Sequence, residues 1–439
     1  MKAYKSTALL AASTATRMLL ALYTVKITAV TLGLAGTGVI GQFNNLLLIS
    51  TMLAGGGIAS GIIKAVADPD TPLSDVRHKL RSAHGYACIC SVAMLAIVLV
   101  GHQFLGERLL PTAGAGALLI ALAVGQYGLF HIAALSAVVN GRGRQDLFAK
   151  STLAAGVASA IAVTIGCLAF GLPGTLVGML LGALSQWLFL HFLASRHLPE
   201  WAPLGTPSFE VADLKPWIHF SLLSLITVVG MPTAQIAVRN ALAASAGWEM
   251  VGVWQAMVRL SDAYLQFGLL FLSAFYFPRL AAAPTIPACT AVILRYGRVL
   301  LPAMVGLCGA IYLLRFQIVP LLFSSAFLGV TDLFMPQLIG DVAKIASYLI
   351  TYAFLATGRY KLSMAAELVQ AALFWVIARH VGIDHGPAGV AWSYAAAYLT
   401  YFVLVAGTML VLIRQASRTT ERSGAAPDNL PEAGPHSPT

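Results

Sequence analysis

The chain has 439 residues, 58% of them hydrophobic and only 10% charged. Soluble domains carry about 25% charged residues, so this composition excludes an ordinary soluble protein and indicates an all-α polytopic membrane protein. The net charge of +10 lies mostly in short loops between apolar runs, which argues against a nucleic-acid partner.

Lys2 and Lys5 precede an apolar run too long for the core of a cleavable signal, so the first helix is expected to stay as a signal anchor. Twelve runs of helix length follow one another, at 7–32, 39–63, 83–105, 115–140, 149–171, 174–195, 216–242, 250–278, 296–315, 332–357, 361–381 and 388–414. The longest loop, Arg196 to Lys215, carries Pro199, Pro203 and Pro207. This predicts a six-helix lobe over 1–195, a cytoplasmic connector over 196–215 and a second six-helix lobe over 216–414. Residues 415–439, rich in Pro, Gly, Ser and charge, read as a disordered cytoplasmic tail.

Counting loops alternately, one side collects 19 lysines and arginines and the other only Arg108, Arg315 and Arg379. The positive-inside rule then places both termini in the cytoplasm. The halves also echo each other. Lys26 to Gln42 and Arg239 to Gln255 are both spaced by 16 residues, at an offset of 213. Gly143-Arg144 recurs as Gly358-Arg359, and Lys64 as Arg279, at an offset of 215. The same side matches in each half, so the repeat is parallel.

Five cations lie within or at the ends of the spans: Arg17, Lys26, Arg239, Arg259 and Lys344. Three carboxylates join them, Asp262, Asp341 and Glu367, leaving 5 − 3 = +2. A charge at the centre of a membrane helix costs about 2.5–3.5 kcal/mol on insertion scales, so these groups face partner helices or a water-filled cavity. A net basic cavity suits an anion. Gln255, Arg259, Asp262 and Gln266, spaced 4, 3 and 4, share one helix face. Gln337, Asp341, Lys344, Tyr348 and Tyr352 form a second polar face, and Ser363, Glu367 and Gln370 a third. Two readings stay open: structural ion pairs (Asp341 with Lys344, Arg259 with Asp262) and snorkelling ends (Lys26, Arg239), or a cationic cavity with carboxylates that bind a coupling ion.

Other features carry less. Gly141-Arg142-Gly143-Arg144 has no preceding strand and reads as a cytoplasmic turn. Gly55-Gly56-Gly57 and the Gly178/Gly182 pair read as packing glycines. Gln126, His131 and Asn140 read as polar groups of the core, and Pro232 is expected to kink its span. The five cysteines lack metal-ligand spacing, and no nucleophile–base constellation or nucleotide loop stands out. No cofactor, metal or enzymatic chemistry is expected.

The stretches VGVWQAMVRLSDAYLQF, QLIGDVAKIASYLI and AELVQAALFW resemble the lipid III flippases of enterobacterial common antigen synthesis. These group with the O-antigen flippases, in the polysaccharide-transporter branch of the superfamily that includes the MATE multidrug exporters. The resemblance covers nearly the whole chain before the tail, which extends beyond the short family terminus. Lys26, Lys64, Arg239, Asp262, Asp341, Lys344, Glu367 and Gln370 fall where the family has matching residues. Arg17 stands in place of a lysine and Arg259 in place of a small polar residue.

The resemblance implies two six-helix lobes around a central cavity in the bacterial inner membrane. It also implies flipping of an undecaprenyl-diphosphate-linked oligosaccharide to the outer leaflet, with a polymerase and a chain-length regulator as pathway partners. On that reading Arg17, Lys26, Arg239, Arg259 and Lys344 would hold the diphosphate. Asp262, Asp341, Glu367, Gln255, Gln266 and Gln370 would supply polar or coupling groups. A cation-coupled multidrug antiporter fits the basic interior poorly. A membrane polysaccharide polymerase would need a larger outer loop than any here.

Overall fold

The structure is a computed structural model that describes residues 2–55, 58–67, 71–198, 207–283 and 285–423. Gly56, Gly57, residues 199–206 of the connector and 424–439 of the expected tail lie outside the described residues. The described residues form helices joined by short turns, without a strand.

In chain order the helices are α1 (Lys2–Gly55), α2 (Ile58–Ala67), α3 (Leu73–Leu109), α4 (Ala115–Gly141), α5 (Gln145–His197) and α6 (Val211–Ala246). Then come α7 (Trp248–Phe271), α8 (Phe277–Ala281), α9 (Ile286–Leu313), α10 (Arg315–Leu322), α11 (Phe334–Ala356), α12 (Tyr360–Ile377) and α13 (Gly386–Ser423). A π-helical turn, Leu272–Tyr276, links α7 to α8. A 3₁₀ stretch, Ser325–Leu333, leads into α11. Helix α13 runs past Arg414 to Ser423, so the first part of the segment expected to be a disordered tail is helical.

Among the described residues, eight helical stretches are long and apolar enough to cross a membrane. Twelve apolar runs become fewer continuous helices because some turn without a loop. Within α1 the chain bends at Gly33 (φ 64°, ψ −161°), and within α5 at Gly171 (φ 63°, ψ −141°). These dihedrals lie in or beside a region that is essentially reserved for glycine. A 53-residue helix such as α5 would extend about 80 Å at 1.5 Å per residue, against a hydrocarbon core of about 30 Å, so its bend lets it double back.

The outside of the bundle is apolar. Val92, Ile97, Val100, Phe104, Ile165, Phe170, Val299 and Leu313 are all exposed, Val100 at 91%. In water such a surface would drive aggregation; here it is the lipid-facing belt. The interior, by contrast, holds buried Gln42, Gln126, Arg239, Gln255, Gln337, Asp341 and Gln370. The buried apolar residues fall into three groups, one of them drawn almost wholly from 234–409.

The halves of the chain meet where α1 crosses α7. A Cβ on Gly252 would strike the Leu34 carbonyl oxygen, and one on Gly38 would approach Gly252 N at 3.0 Å. Only glycines allow the two backbones this close. Polar pairs extend the seam: Gln42 Nε2 donates to Asn240 Oδ1 (2.9 Å) and Asn45 Nδ2 to Gln235 Oε1 (2.9 Å) and the Pro232 carbonyl (3.3 Å). Within α5, a Cβ on Gly178 would meet the Ala162 backbone and one on Gly182 the Ser159 side chain, so both glycines permit close packing of the two arms.

Candidate functional site: a basic, hydroxyl-lined cavity

A cavity of about 340 Å³ opens between the two arms of α1 and the two arms of α5. Each arm contributes one helical face. Arg17, Thr24 and Thr28 come from the first arm of α1, and Thr37, Ile40 and Asn44 from the second. Thr152, Ser159 and Val163 come from the first arm of α5, and Thr175, Met179 and Gln186 from the second. Across from them stand Arg259 of α7 and Phe323, which follows α10. Among the described residues, the lining contains two arginines and no carboxylate.

Four of the lining threonines have already committed their hydroxyl protons. Thr24 donates to the Ala21 carbonyl (2.8 Å), Thr28 to that of Thr24 (2.7 Å), Thr37 to that of Gly33 (2.9 Å) and Thr175 to that of Gly171 (2.8 Å). Their remaining capacity is as acceptors. The arginines are pure donors. Arg17 is exposed and makes no hydrogen bond or ion pair with any described residue. Asn44 lies against the Arg259 guanidinium; with its amide oxygen toward that group it accepts from Nη1 at 3.2 Å and from Nη2. The cavity therefore offers cationic donors for an anion and hydroxyl acceptors for a ligand rich in O–H groups.

A second constellation sits among α7, α11, α12 and α13. Asp341 is fully buried (0% exposed). Its Oδ2 accepts from Ser261 Oγ (2.7 Å) and Tyr264 Oη, and its Oδ1 from Tyr394 Oη (2.8 Å) and Gln337 Nε2 (3.4 Å). Lys344 Nζ stands 5.6 Å from the Tyr398 ring centroid. Gln370 Nε2 donates to Tyr398 Oη at 2.5 Å. Lys344 lies in electrostatic reach of Asp262, Asp341 and Glu367. Neither Asp341–Lys344 nor Arg259–Asp262 closes to an ion pair among the described residues. Asp341 is satisfied by neutral donors instead.

The remaining sequence candidates lie elsewhere. Arg239 of α6 is 1% exposed and does not line the cavity. Its Nε (3.1 Å) and Nη2 (2.5 Å) both donate to Gln255 Oε1, its guanidinium lies 5.2 Å from the Trp254 ring, and its Nη1 has no partner. Lys26 Nζ donates to the Pro320 carbonyl at 2.8 Å, tying α1 to α10. The polar face of α7 thus begins packed, at Gln255 against Gly41 of α1, and ends open, at the exposed Asp262 and Gln266. Gln126 and His131 are buried away from the cavity. Gly143 takes a left-handed turn (φ 66°), and Arg144 forks onto Asp146 (2.9 and 3.1 Å). The threonines, Asn44, Ser159 and Gln186 were not singled out by sequence. Uncharged hydroxyls and amides are also common at helix contacts, and the only signal, their recurrence every three or four residues, is shared by packing faces.

No protein-family profile matches the chain. Two solved structures share its fold. An inward-facing multidrug resistance MATE family transporter of the MOP superfamily aligns with TM-score 0.73 at 15% identity, covering 91% of this chain and 96% of that one. The lipid II flippase MurJ in an inward closed conformation aligns with TM-score 0.69 at 16% identity, covering 96% and 94%. The chain is thus a multi-pass membrane protein with the fold of MATE-type transporters. The lipid III flippase of Escherichia coli (strain K12) is 30% identical over 407 residues, 92% of this chain and 98% of that protein, and the one from Shigella flexneri matches to the same extent. The chain belongs to the lipid III flippase family, and it is a transporter rather than an enzyme.

Proposed function

We propose that the protein moves an undecaprenyl-diphosphate-linked oligosaccharide, of the lipid III or O-antigen type, from the cytoplasmic to the periplasmic leaflet of a bacterial inner membrane by alternating access. The observation that carries this reading is the cavity in which Arg17 and Arg259, from opposite halves of the chain, face a set of hydroxyl acceptors, with no carboxylate among the described lining residues. A diphosphate leaving water loses several kcal/mol of hydration unless cations replace it. Sugar hydroxyls can donate to threonine oxygens whose own protons are spent. The family membership supports the same substrate class.

On this reading the chain has twelve crossings in two six-helix lobes, residues 1–195 and 216–414, with both termini cytoplasmic. Three observations support it. Left-handed glycines recur between the halves: Gly33 with Gly247 (247 − 33 = 214), Gly143 with Gly358 (358 − 143 = 215) and Gly171 with Gly386 (386 − 171 = 215). The eight long stretches include three that double back near Gly33, Gly171 and Gly386, and α6 adds one more, so 8 + 3 + 1 = 12. The cation asymmetry of the loops gives the orientation.

The α1–α7 crossing and the Lys26–Pro320 bond close the lobes together near the Gly33 and Gly247 ends, which corresponds to an inward-facing state. Arg17 and Arg259 then make first contact with the diphosphate, and Lys26 and Arg239 are released to it as the lobes rock. Asp341, with Asp262, Glu367 and Lys344 around it, is the coupling-ion centre. A polymerase and a chain-length regulator act on the delivered product.

The test is complementation of a flippase-deficient strain, with membrane levels checked by immunoblot. Arg17→Ala and Arg259→Ala are expected to lose most function, Lys26→Ala and Arg239→Ala to be impaired, and Arg108→Ala, which stacks on Phe104, to complement fully. Full complementation by Arg17→Ala and Arg259→Ala at normal levels would overturn the basic-cavity reading.

A further inference from the structure

A second basic cavity, sharing no lining residue with the first, lies at the turn from α8 to α9. It has a volume of about 420 Å³ and is lined by Arg279, Arg295 and Tyr296 over a floor of Ala282, Ala288 and Val292. Among the described residues, no carboxylate lines it. Both arginines are exposed, and neither makes a hydrogen bond or ion pair with any described residue. Two guanidiniums left facing one space repel each other unless an anion joins them.

The site is built on a fixed base. Leu280 and Cys289 are fully buried on either side of the turn. Cys289 N donates to the Thr285 carbonyl (2.9 Å), and Ala288 N to Thr285 Oγ1 (3.3 Å), which caps α9. The Tyr296 ring packs 5.5 Å from that of Tyr276 and 6.1 Å from that of Phe271. Just outside, Phe275, Leu294 and Val299 are exposed as part of the lipid-facing belt. The cavity is therefore cationic at its mouth and adjoins the lipid-facing belt at its side. An arginine pair with a tyrosine at this level, at the end of membrane helices, is the arrangement that holds lipid head groups.

We infer that Arg279 and Arg295 clamp the phosphate of an anionic phospholipid in the leaflet on the cation-rich side of the bundle. The guanidinium forks match phosphate oxygens two at a time. The alanine and valine floor leaves room for the glycerol and the first methylenes, with Tyr296 beside the ester level. Inorganic phosphate shares the recognised chemistry and is the alternative source of the anion.

The test uses the full-length protein in nanodiscs of phosphatidylcholine doped with phosphatidylglycerol, with bound lipid counted by native mass spectrometry. The wild type is expected to retain phosphatidylglycerol over phosphatidylcholine. Arg279→Gln/Arg295→Gln is expected to lower that retention about tenfold, and Arg279→Lys/Arg295→Lys to retain an intermediate amount. Arg108→Gln, remote from the cavity, serves as the charge control and should behave as wild type. Monodisperse elution of each variant establishes folding. Displacement of the lipid by added inorganic phosphate would uphold the anion site and assign it to the free anion. Equal retention by the wild type and the folded glutamine variant, or an equal loss in Arg108→Gln, would overturn the inference.

Discussion

Replacing Gln255 by leucine should destabilise the protein, because of what it does to Arg239. The guanidinium is 1% exposed. Two of its three nitrogens use the same Gln255 oxygen, at 3.1 and 2.5 Å, and the third has no partner. Hydrogen bonds to a charged group contribute about 1.5–3 kcal/mol each. Stranding a buried charge costs about 3–5 kcal/mol. Gln255→Leu is therefore expected to lose about 3–5 kcal/mol, a large part of an ordinary net stability of about 5–15 kcal/mol.

Arg239→Met/Gln255→Leu, which removes both partners, should return to within about 1 kcal/mol of the wild type. Denaturant titration of purified protein in mild detergent, run as a double-mutant cycle, measures the coupling. If Gln255→Leu matches the wild type, or if the two single losses simply add, then Arg239 is not held by Gln255 and the packing argument fails.

Four further outcomes are expected. Tyr394→Phe and Ser261→Ala each remove one donor from the buried Asp341 carboxylate (2.8 and 2.7 Å) and should each cost about 1.5–3 kcal/mol in the same titration. If Asp341 is the coupling group, Asp341→Asn should abolish the dependence of flipping on an imposed ion gradient in reconstituted vesicles, while a variant that remains gradient-driven removes the residue from that role. Gly171→Ala, at φ 63° and ψ −141°, should cost about 1–3 kcal/mol and appear as lower membrane levels by immunoblot. Lys26→Ala loses the charged hydrogen bond to the Pro320 carbonyl, worth about 1.5–3 kcal/mol. That should raise labelling, from the side on which the lobes are closed, of a cysteine placed at the cavity-lining Ile40 about tenfold or more, and unchanged labelling would show that the bond does not hold the lobes closed.

Composition and spacing alone established an all-helical membrane protein, the apolar runs and the polar faces of the helices that became α7, α11 and α12. They do so because a 20-residue apolar run and a 3.6-residue period leave few alternatives in lipid. They also marked Arg17 and Arg259 as charges that lipid would not accept. Charge by itself did not say where each group points. Arg239 and Lys26 have the same sequence logic as Arg17, yet one is hydrogen-bonded to Gln255 across the Gly247 turn between α6 and α7, and the other to the Pro320 carbonyl of the opposite half. Asp341 is three residues from Lys344, but it folds onto Ser261, Tyr264 and Tyr394, residues 53 to 80 positions away. The threonine ring of the cavity carries no charge to flag it. It becomes a site only when Gly33 and Gly171 bend α1 and α5 so that four separate faces meet, a juxtaposition that only tertiary packing can decide.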